Sequence, residues 1–139
     1  ARAGELRLDP QVVRNASDYP DIQELYVACE ALFTDYSSLM FDYMNTQKPC
    51  FLYVNDIAAY KDDRNFYFDL DRLPYPRAED NDALEQAVLG FDEALQAQAL
   101  ERFQAEFGIT ETGRAAGHTA DFLEARRAKL GIVNTLENR

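Results

Sequence analysis

Tryptophan is absent from these 139 residues, histidine occurs once (His118), and cysteine occurs twice. One histidine excludes an all-histidine metal centre, and two cysteines with no C-x-x-C pair leave neither a zinc ribbon nor a dithiol redox motif. Cys29 and Cys50 both fall inside apolar segments, so the sequence predicts two buried, reduced thiols rather than a disulfide. Positive charge is scarce as well: 14 Lys and Arg against 25 Asp and Glu leave a net charge of −11. A surface this acidic repels a phosphate backbone, which excludes broad nucleic-acid binding. No apolar run approaches the roughly 20 residues that span a bilayer. The first residues carry no signal-peptide pattern and begin at Ala1, so the chain reads as an excised piece or a processed product. Also missing are G-x-x-x-x-G-K-[ST], G-x-G-x-x-G, H-E-x-x-H, G-x-S-x-G and any calcium-loop spacing. No cofactor and no metal are expected.

What is present suits one soluble α/β domain. The apolar fraction is 47% and the charged fraction 28%, ordinary values for a globular chain long enough to bury one core. The organising stretch is Leu32–Asp56. Ala31-Leu32-Phe33 is a short apolar run that turns polar at Asp35-Tyr36-Ser37-Ser38; Leu39, Met40, Phe41, Tyr43 and Met44 follow at helical density. After Pro49, Cys50–Val54 reads as a second buried strand. Strand, Ser-rich turn, helix and strand make a βαβ unit with parallel strands in a covered sheet. Its turn falls at the carboxyl edge, where open α/β sheets hold ligands.

Around that unit the expectations are as follows. Residues 1–11 form an irregular lead-in, Val12-Val13 a short strand, and Asn15–Pro20 turn chemistry; the Asn15-Ala16-Ser17 sequon carries no weight without other signs of secretion. Asp21 and Glu24 form a D-x-x-E box opening a helix whose Ile22, Leu25, Tyr26 and Cys29 share a face. Asn65–Asp71 alternates as an extended segment, and Pro74-Tyr75-Pro76 stops regular structure. Beyond it come helices opening at Asp82 (Leu84, Ala87, Val88 inward) and Asp92 (Leu95, Ala99, Leu100, Phe103, Phe107 inward, closed by Gly108). The last helix runs from Thr119 to Leu130 with Phe122 and Leu123 inward, and a frayed tail follows. In these terms 1–139 is a single domain, divided into a βαβ part at 1–76, terminal helices at 77–131 and a tail at 132–139.

Several residues carry candidate chemistry. Ser37 and Ser38 sit where a helix begins, and hydroxyls beside free backbone N–H groups suit an anion; plain N-capping is the competing account. Asp42 lies one helical turn after Ser38, on the same face, where its carboxylate reaches the hydroxyls of a ribose or simply faces solvent. Asp35 holds the turn by accepting from backbone N–H groups. The planar fork of Arg64 fits a phosphate or forms a surface ion pair with Asp62 and Asp63. Asp69 and Asp71 share one face of the extended segment, where solvated carboxylates outweigh an acid–base pair. His118 falls at the start of a helix and reads as a surface residue.

The runs TDYSSLMFD, KPCFLYVND and YKDDRNFYFD resemble the pattern of the CDP-glycerol:poly(glycerol phosphate) glycerophosphotransferases, the teichoic-acid polymerase family. The likeness covers about Asp21 to Pro76, with weaker echoes at Gly113-Arg114-Ala115. Asn65 stands where the family has glycine in R-G-F-Y, and Tyr75 where it has Pro-Gly-Pro. The resemblance implies a Rossmann-like three-layer domain with a parallel sheet: the carboxyl-side, donor-nucleotide half of a GT-B-type glycosyltransferase fold, with carboxyl-terminal helices. It implies a bacterial cell-wall or capsule transferase that moves glycerol phosphate from CDP-glycerol to a polyol-phosphate acceptor. The alternatives are another nucleotide-activated polyol phosphate or sugar, or a non-catalytic nucleotide- or protein-binding module. Thr34, Ser37, Ser38, Asp42 and Arg64 become donor-binding residues under this likeness, with Asp35 structural. No catalytic residue is expected here, since the family's presumed histidine bases lie upstream of TDYSS. The resemblance also implies that this chain alone is inactive, that an amino-terminal domain completes the enzyme, and that the protein is cytoplasmic and peripheral on the inner membrane face.

Overall fold

Asp21 opens the first helix of the computed structural model, which describes residues 9–55 and 70–131. Its carboxylate accepts from Gln23 N at 2.8 Å, satisfying one of the four amides a helix start leaves unpaired. Helix α1 (Ile22–Ala28) has no basic residue in its last turn. Lys48 takes that role from a distance, its Nζ donating to Val27 O at 2.5 Å and Cys29 O at 2.9 Å. The carbonyl end of α1 is thereby tied to the residues just before the second strand.

Strand β1 (Leu32–Thr34) follows, then α2 (Leu39–Tyr43), which tightens into a 3₁₀ turn over Met44–Thr46. Of the run expected to be helical from Leu39 to Met44, Leu39–Tyr43 is α-helical and Met44 opens the 3₁₀ turn. Thr46 Oγ1 donates to Tyr43 O at 2.8 Å, and Gln47 turns the chain in the left-handed region at φ 59°. Strand β2 (Cys50–Tyr53) then pairs with β1 in parallel, matching Leu32 with Cys50, Phe33 with Phe51 and Thr34 with Leu52. A third parallel strand, β3 (Arg77–Ala78), matches Arg77 with Leu52 and Ala78 with Tyr53. The sheet order is β1-β2-β3. Cys50, Phe51 and Leu52 are buried in succession, as a strand covered on both faces requires.

Tyr43, Met44, Leu52, Val54, Cys50 and Leu100 form the most enclosed part of the core. Tyr26 meets Tyr43 edge-on at 5.6 Å, and the Tyr75 hydroxyl donates to Met40 O at 3.1 Å, fastening α2 to the segment before β3. Burial pushes the Cys50 thiol up from 9.0 to about 12. On the other side of the sheet, Phe33 stacks on Phe51 at 5.1 Å, and Phe51 touches Phe91 at 5.4 Å.

Asp80 opens α3 (Asn81–Leu89) by accepting from Ala83 N at 2.7 Å, and Asp92 opens α4 (Glu93–Phe107) by accepting from Leu95 N at 3.0 Å. Within α4 the buried Gln96 is bonded twice to the start of β2: Oε1 accepts from Cys50 N at 3.2 Å and Nε2 donates to Lys48 O at 3.0 Å.

The chain divides into two compact units, residues 1–100 and 101–139. In the second, Phe103 and Phe107 meet at 4.5 Å, and Gly108 ends α4 at φ 65° while Ile109 N donates back to Gln104 O at 2.9 Å. Helix α5 (Ala115–Lys129) has no buried residue.

Several expectations change. Val12 and Val13 form a turn, not a strand, with both amides donating to Asp9 O; two apolar residues without a partner strand have no ladder to join. Cys29 is exposed and only Cys50 is buried. Leu70–Arg72 is a 3₁₀ turn where the extended segment was expected, and the rest of that segment up to Asp69 lies outside the described residues, as do the lead-in before Asp9 and the tail after Gly131. Strand β3, just past position 76, is hydrogen-bonded to β2. Val88, Leu95, Phe107, Phe122 and Leu123 are exposed rather than inward.

Candidate functional site

The turn after β1 puts five polar or aromatic residues, Thr34 to Ser38, at the carboxyl edge of the sheet. Thr34, Tyr36 and Ser37 are half-buried, while Asp35 and Ser38 are exposed. The turn is closed by Ser37, whose Oγ accepts from Leu39 N at 3.3 Å, and by backbone bonds from Met40 N to Ser37 O and Phe41 N to Ser38 O. Asp35 was expected to hold this turn. Among the described residues the side-chain bond there is made by Ser37, and Asp35 instead lines an open cleft.

Ser38 occupies the cap position of α2 in a helical conformation, φ −61° and ψ −12°, and its side chain makes no capping bond. A residue already in helical geometry directs its hydroxyl away from the amides that a capping serine would satisfy. The plain-capping account of Ser38 therefore loses its physical basis. Asp42 is exposed in the first turn of α2, one helical turn beyond Ser38. Its charge also reaches the Tyr26 phenol, which lies above its ordinary value of 10.0, first through burial and then through Asp42. The Tyr26 hydroxyl is buried with no hydrogen-bond partner among the described residues.

A cleft of about 500 Å³ opens at the same edge, lined by Phe33, Thr34, Asp35, Tyr53, Asn81 and Leu84. Three elements meet in it: the end of β1, the end of β2 and the start of α3. Tyr53 and Asn81 are not among the residues singled out from the sequence. Tyr53 falls inside the KPCFLYVND run but was read there only as part of a buried strand, Asn81 sits in no motif, and the two come from segments nearly thirty residues apart. A second hollow of about 330 Å³, lined by Pro74, Pro76, Gly90, Phe91, Leu95 and Ala99 among others, is mostly carbon and lies away from the turn.

Thr34, Asp35, Ser37, Ser38 and Asp42 follow one another along the chain from the end of β1 to the first turn of α2. Arg64 and Asp69 lie outside the described residues. Asp71 forms an ion pair with Arg77, so it is no unpaired acid–base group. His118 is an exposed residue inside the first turn of α5, its amide donating to Arg114 O at 2.9 Å. Among the described residues no cluster of His, Cys, Asp or Glu has the geometry to hold a metal. None of the described helices is long and apolar enough to cross a membrane.

Residues 4–124 match the family described as CDP-Glycerol:Poly(glycerophosphate) glycerophosphotransferase. The chain is 39% identical over 108 residues to the teichoic acid glycerol-phosphate transferase of Staphylococcus aureus, covering 75% of this chain and 28% of that protein. It is 34% identical over 99 residues to the teichoic acid poly(glycerol phosphate) polymerase of Bacillus spizizenii, covering 70% of this chain and 25% of that protein. Among solved structures it resembles a substituted form of the wall teichoic acid polymerase TagF soaked with CDPG, at TM-score 0.71 and 26% identity. That likeness covers 94% of this chain and 34% of the other. The chain therefore spans about a quarter to a third of the length of the proteins it matches. Its parallel sheet and helices form a Rossmann-like half of a GT-B-type fold.

Proposed function

Because the chain belongs to the CDP-glycerol:poly(glycerophosphate) glycerophosphotransferase family, we propose that it is the donor-nucleotide part of an enzyme that builds a teichoic-acid-type or capsule-type polymer. The full-length protein takes glycerol phosphate from CDP-glycerol and passes it to a polyol-phosphate acceptor. An acceptor hydroxyl oxygen bonds to the donor's β-phosphorus, the bond from that phosphorus to the bridging oxygen breaks, and CMP leaves. The hydroxyl proton goes to a base supplied from outside this chain, since its only histidine, His118, is far along the sequence from the turn and sits on an exposed helix. An amino-terminal domain of the same protein completes the cleft, and the short span of the match relative to the relatives supports that division. The acceptor, a membrane-borne polymer, brings the protein to the inner face of the cell membrane as a peripheral enzyme.

In this reading Ser37 and Ser38 contact the diphosphate, helped by Thr34, and Asp42 accepts the ribose hydroxyls; Arg64 adds positive charge. The observation that carries it is the uncapped Ser38 hydroxyl at the carboxyl edge of the parallel sheet, within the family's matched span. Two neutral hydroxyls bind a pyrophosphate without adding charge, which suits a group that must be released each turnover.

The test is calorimetry on the full-length protein. Ser38→Ala should weaken CDP-glycerol about ten- to a hundredfold, as expected for loss of a charge-assisted contact. Thermal stability should barely move, because no capping bond is lost. Asp42→Asn should weaken CDP-glycerol while leaving pyrophosphate binding unchanged. Equal CDP-glycerol affinity in wild type and both variants would reduce the turn to a structural element. A second reading, in which this chain by itself binds but does no chemistry, is favoured by the placement of His118; CMP release by the isolated chain would end it.

A further inference from the structure

A five-residue helix such as α2 does not hold its own place, because helices shorter than roughly 12 residues are marginal on their ladder alone. Tertiary contacts decide where it sits. Met40, Tyr43 and Met44 are buried and draw it inward, and Tyr26 meets Tyr43 edge-on. Apolar packing has no direction, however, and lets a short helix slide or roll by a fraction of a turn. A hydrogen bond to a backbone carbonyl does not. Such a bond reaches α2 from Tyr75, whose buried hydroxyl donates to Met40 O at 3.1 Å. Met40 lies midway between Ser38 and Asp42, about 3 Å from each along the axis at the usual helical rise.

That bond closes a frame around the serine turn. Thr34 is matched with Leu52 across β1 and β2. Leu52 N donates to Pro76 O at 2.9 Å, Pro76 follows Tyr75, and the Tyr75 hydroxyl returns to α2 at Met40. Residues 35–38 are the remaining side, joining Thr34 to the start of α2. Pro74 and Pro76 restrict the backbone on either side of Tyr75, so the phenol is carried on a stiff arm and does not follow the helix if it shifts. Burial pushes the Tyr75 phenol up from 10.0, and Cys50 and Tyr43 nearby add to it, so the hydroxyl keeps its proton and remains a donor. We infer that Tyr75 is a positioning residue, which fixes α2, and with it Ser38 and Asp42, against the strand end at Thr34. A diphosphate shared between the start of α2 and Thr34 needs that placement, because hydrogen bonds weaken steeply as distance and angle depart from their optimum.

This role rests on the donor reading proposed above, so the experiment asks whether Tyr75 acts through the side chains that α2 carries. Full-length wild type, Tyr75→Phe, Ser38→Ala, the double variant and Leu100→Val are titrated with CDP-glycerol by calorimetry, with melting temperature as the folding control. Tyr75→Phe keeps the ring, and Met40 O keeps its bond from Met44 N, so folded protein is expected. It should weaken CDP-glycerol about three- to tenfold. In the Ser38→Ala background the same change should cost no more than about twofold, because one of the side chains it places is already gone. Leu100→Val, at a buried position on α4, should lower the melting temperature and bind as wild type does. Equal losses from Tyr75→Phe with and without the Ser38 hydroxyl, or a matching loss in Leu100→Val, overturn the positioning role, because affinity would then follow stability alone. Tyr75→Phe that binds as wild type, while Ser38→Ala weakens CDP-glycerol, overturns it and leaves the donor reading standing. Ser38→Ala that binds as wild type overturns the donor reading and this role with it.

Discussion

The parallel sheet and helix α5 both carry phenylalanine and leucine, and those side chains end in opposite states. Leu52 in β2 is 1% exposed, whereas Phe122 in α5 is 68% exposed, although both were expected to face inward or lie in a covered sheet. In and around the sheet, apolar side chains meet partners from other segments: Phe33 meets Phe51, Phe51 meets Phe91, and Tyr43 of α2 meets Tyr26 of α1. Among the described residues the ion pair and side-chain hydrogen bond of α5 are local, Arg127 with Glu124 at 2.9 Å and Thr119 Oγ1 with Ala115 O. Burial therefore depends on what another part of the chain brings to a face, and apolar residues alone do not produce it. The sheet region derives stability from contacts far apart in sequence. Helix α5 depends on its own ladder and on the favourable placement of Arg126, Arg127 and Lys129 near its carbonyl end.

Three substitutions sharpen or break this contrast. Leu52→Ala should cost about 2–5 kcal/mol of unfolding free energy, because a buried leucine leaves a cavity that a strand covered on both faces cannot close. Denaturant titration measures it, and a loss below about 1 kcal/mol would mean that the sheet is not the stability centre. Gln96→Ala should cost about 1–3 kcal/mol, since it strips partners from Cys50 N–H and Lys48 C=O at once. Faster exchange of the Cys50 amide hydrogen would localise that cost, and unchanged exchange would count against the bridge. Phe122→Ala should lie within about 0.5 kcal/mol of wild type, as for other exposed positions. A larger loss would show that α5 is covered in solution.

The same contrast explains which features were legible in the sequence. The extents of β1 and β2 follow from compact apolar runs bounded by polar turns, and Leu32–Thr34 forms where it was expected. Asp21 and Asp92 cap helices as read, because a cap needs only local geometry. The helix expected to open at Asp82 begins one turn-position earlier, with Asp80 as its cap. Strand β3 gave no signal: two residues after Pro76 become a strand only because β2 offers a ladder. Periodicity grouped Phe122 with Leu123 but carried no information on whether anything covers them. At the site, the serine turn and Asp42 were visible as one contiguous motif. Tyr53 and Asn81 were not, because the parallel topology alone carries the end of β2 and the start of α3 to the edge that Thr34 reaches.

The Gln96 bridge has a consequence during synthesis. The amide that seals the first residues of β2 lies 46 residues downstream of Cys50. At bacterial-to-eukaryotic elongation rates of about 5–20 residues per second, roughly 2–10 s separate the two leaving the ribosome. For that interval the strand has its apolar side chains but not the side chain that satisfies its leading N–H and the carbonyl of Lys48. A nascent chain in that window leaves one N–H and one carbonyl at the start of β2, beside Phe51, without the side chain that pairs them in the finished fold. Translation speed across residues 50–96 is thus a variable that the finished fold no longer reveals, and slow codons there would lengthen the exposure.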